Sequence, residues 1–554
     1  LSNDLDVGSK LLINTGLQNP SQLHDAILTM DKFSNSLPVA IASIGSSKIT
    51  LLVGSAITVG ADATIPDNII LWFVGPGKLF VNSGKVLTIN SPSQVLAHTQ
   101  QQVFDGTGTV SFTNGGIVSP GWWGFSSGGT AAANADAYNA CTASLTATGG
   151  AIVIPPTGAA HQVDDTLTHP AKPMSVIGAH PELSIIESTA TASLKHGLTF
   201  TRSHHVRNLT IKTSASLASN YDMYGVRMDL DGVTVSGGNQ AGTWESVKVR
   251  GFNNSFYCDG GDAYNVDRLY FNDLDAQCSG PASTYIGSCL YINRVTQVYG
   301  THSQFDQNST GEHAIYCFGS KNLVFDGFKI RNFDKGTAQA IKVVGNGVAP
   351  DDDQAYPTWS IRNMDIADGL NGILCGIYGT ETLEALTVEN CKFVDVDTSA
   401  AILGCVYLSA AGTSNIRTLR VSGISTRNCL YQGVHVATGA SATMGPVSIR
   451  DCKGYNWSTT SAGTYTWFGT SGTGTFGPIT LEGIEADGNS KGRTIVSGSG
   501  QASTISRIRY SGLKEVNTTN MGRPISLPEA DATPSLAIGN WFVQPNTGAQ
   551  NITA

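Results

Sequence analysis

The sequence predicts an all-β solenoid, a parallel β-helix, on three observations. Short β-rich runs recur along most of the chain, Asn, Asp and Gly recur at the turns between them, and charge is scarce while glycine is abundant. The 554 residues include 63 glycines, and charged side chains make up 14% of the total, against about 25% in an ordinary soluble domain. Hydrophobic residues reach 41%, which excludes disorder, because a disordered chain needs low hydrophobicity and high charge. Glycine at this density argues against a helical array, at about 1 kcal/mol per interior helix position. A length that would suggest several domains therefore reads as one short unit repeated.

The repeats run from about Met174 to Val516, in units of roughly 24 to 33 residues. Leu323-Val-Phe-Asp-Gly-Phe-Lys-Ile-Arg-Asn332 matches Leu386-Thr-Val-Glu-Asn-Cys-Lys-Phe-Val-Asp395 at apolar and turn positions together. Asn208, Ser246, Gly327, Asn363, Asn390, Gly423, Asp451 and Gly483 fill a first turn column. Asn272-Asp273, Asn332, Asp368, Asp395, Asn428, Asn456 and Asp487 fill a second. These residue types tolerate left-handed backbone and bond their own turn. A third run, such as Leu290-Tyr-Ile-Asn, Ile315-Tyr-Cys-Phe or Val406-Tyr-Leu-Ser, completes each unit, so the reading is three strands per rung.

Period-two alternation separates inside from outside. Met228, Cys258, Ile292, Cys317, Val343, Cys375, Leu408 and Val436 of the third strand are expected to point inward and stack. The same holds for Leu209 and Ile211, Val247 and Val249, Leu269 and Phe271, Phe328 and Ile330, and Cys391 and Phe393. Five of the ten cysteines, Cys258, Cys317, Cys375, Cys391 and Cys452, fall on inward positions, where they read as buried thiols of a protein folded in a reducing cytoplasm.

The net charge of −9 argues against nucleic acid as the main partner. No run reaches the roughly 18 apolar residues of a membrane span, so no membrane insertion is expected, and Leu-Ser-Asn-Asp at the start lacks a basic region followed by an apolar core.

Gly121-Trp-Trp-Gly124 precedes an Ala-rich stretch from about Thr130 to Leu145, expected to be helical, and then Gly149-Gly-Ala-Ile-Val-Ile-Pro-Pro156. A helix there shields the open end of a solenoid from water and from edge pairing. This arrangement resembles the start of the pectate-lyase-like β-helix of bacteriophage tailspikes and related polysaccharide depolymerases. Upstream, Thr64-Ile-Pro-Asp-Asn-Ile-Ile-Leu-Trp72 and Lys85-Val-Leu-Thr-Ile-Asn90 resemble the preliminary β-coil of that family. One departure is Ser126-Ser-Gly-Gly-Thr-Ala-Ala132, where the family usually carries an acidic Gly-Asp-Gly and Asp-Asp-Thr segment. The resemblance covers roughly residues 50–515 and implies a right-handed helix, a homotrimer, attachment to a virion tail or baseplate protein through the N-terminus, and assembly in the host cytoplasm.

Four regions follow. Residues 1–45 form a helical or adaptor segment, in which Ser21 to Phe33 would place Leu23, Ile27, Met30 and Phe33 on one helix face. Residues 46–120 are the preliminary β-coil, 121–516 the β-helix, and 517–554 a small C-terminal β module.

A solenoid's outward columns suit a long polymer better than a small molecule. The outward column of the third strand reads Arg227, Tyr257, Tyr291, Tyr316, Lys342, Leu374, Tyr407 and His435. Tyrosine supplies an apolar ring and a polar end for a sugar, although it is also simply a favoured strand residue. A second column, with Lys212, Lys248, Arg250, Lys329, Arg331, Lys392, Arg427 and Lys453, would favour an anionic glycan or consist of solvated surface charges.

Glycoside hydrolysis needs two carboxylates, and coils stacked about 4.8 Å apart bring column neighbours near the roughly 5 to 5.5 Å of retaining enzymes. With the turn aspartates set aside, one candidate pair is Asp229 and Asp259 on adjacent rungs beside the tyrosines. A second group is Asp306, Glu312 and Asp334, with His302 and His313 nearby, where the repeat is least regular. The insertion 346–360 carries Asp351-Asp-Asp353, either a solvated loop, a groove wall or a Ca²⁺ ligand set; no metal or cofactor is assigned. The expected function is endo-glycoside hydrolysis of a bacterial surface polysaccharide. A polysaccharide lyase, using Lys, Arg, His or Tyr as base, and a non-catalytic receptor-binding solenoid are the rivals.

Overall fold

The computed structural model describes residues 26–145, 148–191, 195–214, 223–231, 240–278, 287–307, 313–333, 339–345, 357–397, 404–429, 432–455 and 466–487, and then the strands 494–499, 504–511, 513–516, 525–526, 535–538 and 541–543. The chain forms two compact units, the first reaching Ser216 and adding Met223–Met228 and Gly242–Lys248, the second including Asp229–Ala241 and everything from Val249.

In the first unit, the strand Ile49–Val53 pairs in parallel with Ile69–Phe73, which pairs with Val95–Leu96. Ala56–Val59, Lys78–Val81 and Phe104–Gly106 form a second parallel set, and Ala63–Ile65, Val86–Ile89 and Thr109–Phe112 a third. Leu51, Leu71, Ile57, Leu79, Leu87 and Ile89 are buried between these sets, so this stretch is itself a β-coil.

The expected helix from Ser21 to Phe33 is corrected over its described part. Ala26–Thr29 is a strand paired with Ile49–Leu52, and Met30–Phe33 is a single 3-10 turn. An open sheet edge offers backbone partners to any extended segment, and that tertiary pairing outweighs a short amphipathic pattern. A helix does follow, at Leu37–Ile44, with a proline in its first turn. Ser21 to Asp25 lie outside the described residues.

The capping helix forms at Ala131–Ala143, its first turn closed by the Ala133 N–H donating to Thr130 Oγ1 at 3.3 Å. Its fully buried Asn134 ties the helix to the segment that precedes it. The Asn134 side chain accepts from Ser126 N–H and donates to the Ser126 and Gln162 carbonyls, each at 2.9 Å. Gly149, at φ +75°, is forced both by that angle and because a Cβ there would lie 2.2 Å from the Pro173 carbonyl.

In the second unit, successive coils pair in parallel register. First strands run Val266–Asn272, Val295–Thr301, Asn322–Asp326, Thr358–Arg362, Ala385–Glu389, Leu419–Ser422 and Val447–Arg450. Asp275–Gln277, Gln304–Asp306, Lys329–Arg331, Asp365–Leu370, Lys392–Asp397, Ser425–Arg427 and Lys453–Tyr455 pair likewise. So do Asn254–Asp259, Leu290–Asn293, His313–Phe318, Gln339–Val344, Ile373–Ile377, Gly404–Ala410 and Gln432–Thr438. The protein is a parallel β-helix.

The turns follow the expected chemistry except at Asp487, which ends the strand Glu485–Asp487 in register with Tyr455 rather than filling the second turn. Asn208, Ser246, Asn363, Asn390 and Asp451 all have φ between +50° and +57°, and Gly327, Gly423 and Gly483 are also positive; Asn332, Asp368, Asp395 and Asn428 repeat this at the next turn. Asp273 is placed differently. It follows the first strand Val266–Asn272 and so shares the first turn with Gly327 and Asn363, because that strand pairs with Val295–Thr301 and, through it, with Asn322–Asp326. Asn456 lies outside the described residues. Parallel pairing also runs past Val516, since Thr504–Ser511 pairs with Ser535–Ile538 and Leu513–Val516 with Trp541–Val543.

Candidate functional site

The third-strand alternation is realised in register. Cys258, Ile292, Cys317, Val343, Cys375, Leu408 and Val436 are successive partners, and each is fully buried. One residue earlier, Tyr257, Tyr291, Tyr316, Lys342, Leu374, Tyr407 and His435 pair in register over seven coils; the tyrosines and Lys342 are half-buried, whereas Leu374 is buried and His435, expected to point outward, is 1% exposed. Stacking sets what this column offers. The rings of Tyr257 and Tyr291 lie 5.1 Å apart at 6°, Tyr291 and Tyr316 5.3 Å apart at 51°, and Tyr407 and His435 5.4 Å apart at 2°. Lys342 Nζ sits 5.0 Å from the Tyr316 ring centre. The faces are largely turned on one another, so edges and hydroxyls are presented outward. Burial pushes the phenols of Tyr291 and Tyr407 up, which keeps them as hydrogen-bond donors.

Asp259 closes the strand that carries Tyr257. It is 7% exposed, and it accepts from the Tyr257 hydroxyl at 3.1 Å, Gly261 N–H at 2.8 Å and the Asn293 amide at 2.9 Å. Asp229 repeats part of this, accepting Asp231 N–H at 2.9 Å. The Leu230 N–H donates to the Asp259 carbonyl at 2.9 Å, which sets the two aspartates on neighbouring coils. Each carboxylate thus also closes a two-residue turn at the end of its strand.

The second group sits on a different column. Asp306 pairs with Gln277 and Arg331, and its carboxylate accepts from the Asn332 amide at 3.0 Å. Arg331 donates to the Asp365 carbonyl and carboxylate, each at 2.7 Å. Arg250 repeats this with Asp275. The exposed Lys329 stands between Gln304 and Asp365 in register, and Asp365 is followed by Lys392, Ser425 and Lys453. Asp365 therefore interrupts the basic stripe, and Arg250, Arg331 and Lys453 each stand beside a carboxylate, Asp275, Asp365 and Glu485. Glu312, Asp334 and Asp351-Asp-Asp353 lie outside the described residues, and among the described residues no His, Cys, Asp and Glu cluster fits a metal ion.

In the first unit, Arg227 Nη1 lies 3.2 Å from His196 Nε2, with its guanidinium 5.5 Å from the Tyr224 ring centre. His196 and His313 share one structural task. Each buried ring accepts at Nδ1 a backbone N–H from the next coil, Tyr224 at 3.4 Å and Gln339 at 3.1 Å. Burial, with the cations Arg227 and Lys342 beside them, pushes both down to about 3. Asn254 does the same with the Ser288 N–H at 2.8 Å, so these side chains cap a corner of the coil.

Sequence reasoning missed Glu381. It is 5% exposed and lies against Gly345, where an added Cβ would meet its Oε2 at 1.6 Å. Nothing in the local sequence pairs two residues that meet only across neighbouring coils.

No known protein-family profile matches the chain, and no curated protein does. Among solved structures, the chain is similar to the catalytic unit of a GH87 alpha-1,3-glucanase from Streptomyces thermodiastaticus, at 12% identity and TM-score 0.40, covering 76% of this chain and 68% of that one. It is similar to the A-module of an Azotobacter vinelandii mannuronan C-5 epimerase, at 12% identity and TM-score 0.40, covering 76% and 100%. It is also similar to tailspike protein 3 of bacteriophage CBA120, at 10% identity and TM-score 0.31, covering 73% and 62%.

Proposed function

We propose that this chain is a phage tailspike that binds a bacterial surface polysaccharide along its third-strand face and cleaves it by endo-glycoside hydrolysis. The observation that carries the reading is the in-register column from Tyr257 to Tyr407, with four half-buried tyrosines and Lys342. Six coils spaced about 4.8 Å apart make a face about 24 Å long, suited to a chain of sugars rather than to one. The half-buried Tyr291 and Tyr407 hydroxyls donate to sugar oxygens, the Tyr257 hydroxyl being given to Asp259, and Lys342 adds the column's cation.

The carboxylates whose placement fits the chemistry best are Asp229 and Asp259, because adjacent coils separate them by about the distance a retaining mechanism uses. Asp259, already an acceptor for three donors, suits the nucleophile, and Asp229 then protonates the leaving oxygen. The same reading makes the functional assembly a homotrimer fixed to the tail through its N-terminal region.

The test uses purified capsule, exopolysaccharide or O-antigen and follows new reducing ends. Hydrolysis gives reducing ends without an unsaturated uronate; ultraviolet absorbance from such a uronate would overturn hydrolysis in favour of elimination. A glycan that is bound and never shortened would make the protein an adhesin. Asp229→Asn and Asp259→Asn, made singly, are expected to lower the rate by about 10²- to 10⁴-fold with binding retained, while Asp306→Asn stays near wild type. Full activity in both of the first two variants would refute the assignment.

A further inference from the structure

All ten cysteines are buried and no disulfide joins any of them, yet two of them lie far closer than packing alone requires. Cys278 Sγ and Cys289 Sγ are 3.1 Å apart, inside ordinary sulfur–sulfur contact. Cys278 follows the strand Asp275–Gln277 and Cys289 precedes the strand Leu290–Asn293, so the pair spans one corner of a single coil. Both sulfurs are fixed by the backbone around them. The Cys278 N–H donates to the Asp306 carbonyl at 3.1 Å, and the Cys289 thiol lies 3.3 Å from the same carbonyl.

The corner occurs again. Leu290, Ile315, Ile341, Ile373 and Val406 are successive partners, which puts Cys405 at the coil position of Cys289. Cys429 lies two residues beyond the strand Ser425–Arg427, one position further than Cys278 from its own. A side-chain hydrogen bond from Cys405 holds the Cys429 thiol below its ordinary value.

We propose that Cys278 and Cys289 are an oxidation site, closing to an intracoil disulfide when the protein meets hydrogen peroxide. The thiolate of one cysteine attacks the peroxide O–O bond, forming a sulfenic acid and releasing hydroxide. The second thiol displaces hydroxide from that sulfur, forming the S–S bond, and the released proton completes a second water. Two thiols are oxidised and one peroxide is reduced to two waters, with no other reactant. Peroxide is small enough for a buried corner that a bulkier disulfide reagent would not enter. Burial pushes the Cys289 thiol well up, so the reaction is slow at neutral pH and accelerates as pH rises, because the thiolate is the reactive form.

The test uses the full chain exposed to peroxide, then denatured and alkylated. Chymotryptic cleavage after Tyr285 separates the two cysteines, so a bridge appears as a linked peptide pair that reductant splits. The expected result is joint loss of alkylated Cys278 and Cys289 with gain of that pair, while Cys278→Ser leaves Cys289 unbridged. Recovery of both as separate alkylated or sulfinic forms, or bridging of either to a different cysteine, would overturn the proposal. The wild-type map decides this even if the variant does not fold.

Discussion

His169 and His204 are held neutral by burial, and their hydrogen bonds leave no choice of tautomer. The Thr199 carbonyl can only accept, so His169 Nδ1–H donates to it at 2.8 Å and Nε2 accepts the Tyr138 hydroxyl at 2.8 Å. His204 Nε2 accepts the Trp244 indole N–H at 2.7 Å, and its ring stacks 4.1 Å from Phe200. Burial pushes His169 down to about 4 and His204 to about 3. An unfolded histidine titrates near 6.5, so below that pH the unfolded chain takes up protons that the folded one refuses. Stability from these groups is complete above about pH 6.5 and is lost progressively as pH falls toward 3 to 4. The urea midpoint, followed by tryptophan fluorescence, should be flat near neutrality and drop between pH 6.5 and 4, with a shallower drop in His204→Gln; a flat midpoint down to pH 4 contradicts the account. These pairs were not legible in the sequence, because the partners stand 31 and 40 residues apart.

At the scale of the element, one coil shows how packing is shared between strands. Gly300 takes an inward place in register between Phe271 and Phe325. A Cβ there would lie 2.1 Å from the Phe271 ring and 2.8 Å from that of Phe328, whose centres are 5.8 Å apart. Gly300→Ala should therefore cost about 1 to 3 kcal/mol by overpacking, measured by urea unfolding. A turn position behaves differently. At Asn208, φ +56°, replacement by Gly should be nearly neutral and replacement by Ala should cost about 1 to 2 kcal/mol. Turn chemistry was readable because it is local; the empty place at Gly300 was not, because rings from two other coils fill it.

For the whole molecule, the charges decide how a polymer is met. Lys329, Asp365, Lys392 and Lys453 share one column, Arg331 and Arg250 hold Asp365 and Asp275, and Arg417 holds Glu384 at 3.1 Å. Exposed pairs of this kind contribute about 0 to 1 kcal/mol each, so their effect is to cancel the field rather than to stabilise the fold. Glycan affinity should consequently change little between low and moderate salt. A steep fall with salt, measured by calorimetry, would show that an uncompensated cationic surface does the binding.

The sequence by itself determined that the chain is a parallel solenoid, which residues face its core and where it turns, because alternation and turn chemistry are written within a few neighbouring residues. Only the tertiary structure decided which charges meet, which thiols touch and which face remains open. Partners in a column are separated by a whole coil, and coil length varies. Asn332 reaches Asp306 across 26 residues, while Arg331 reaches Asp365 across 34. Register between coils therefore depends on every intervening turn, and no local pattern carries it.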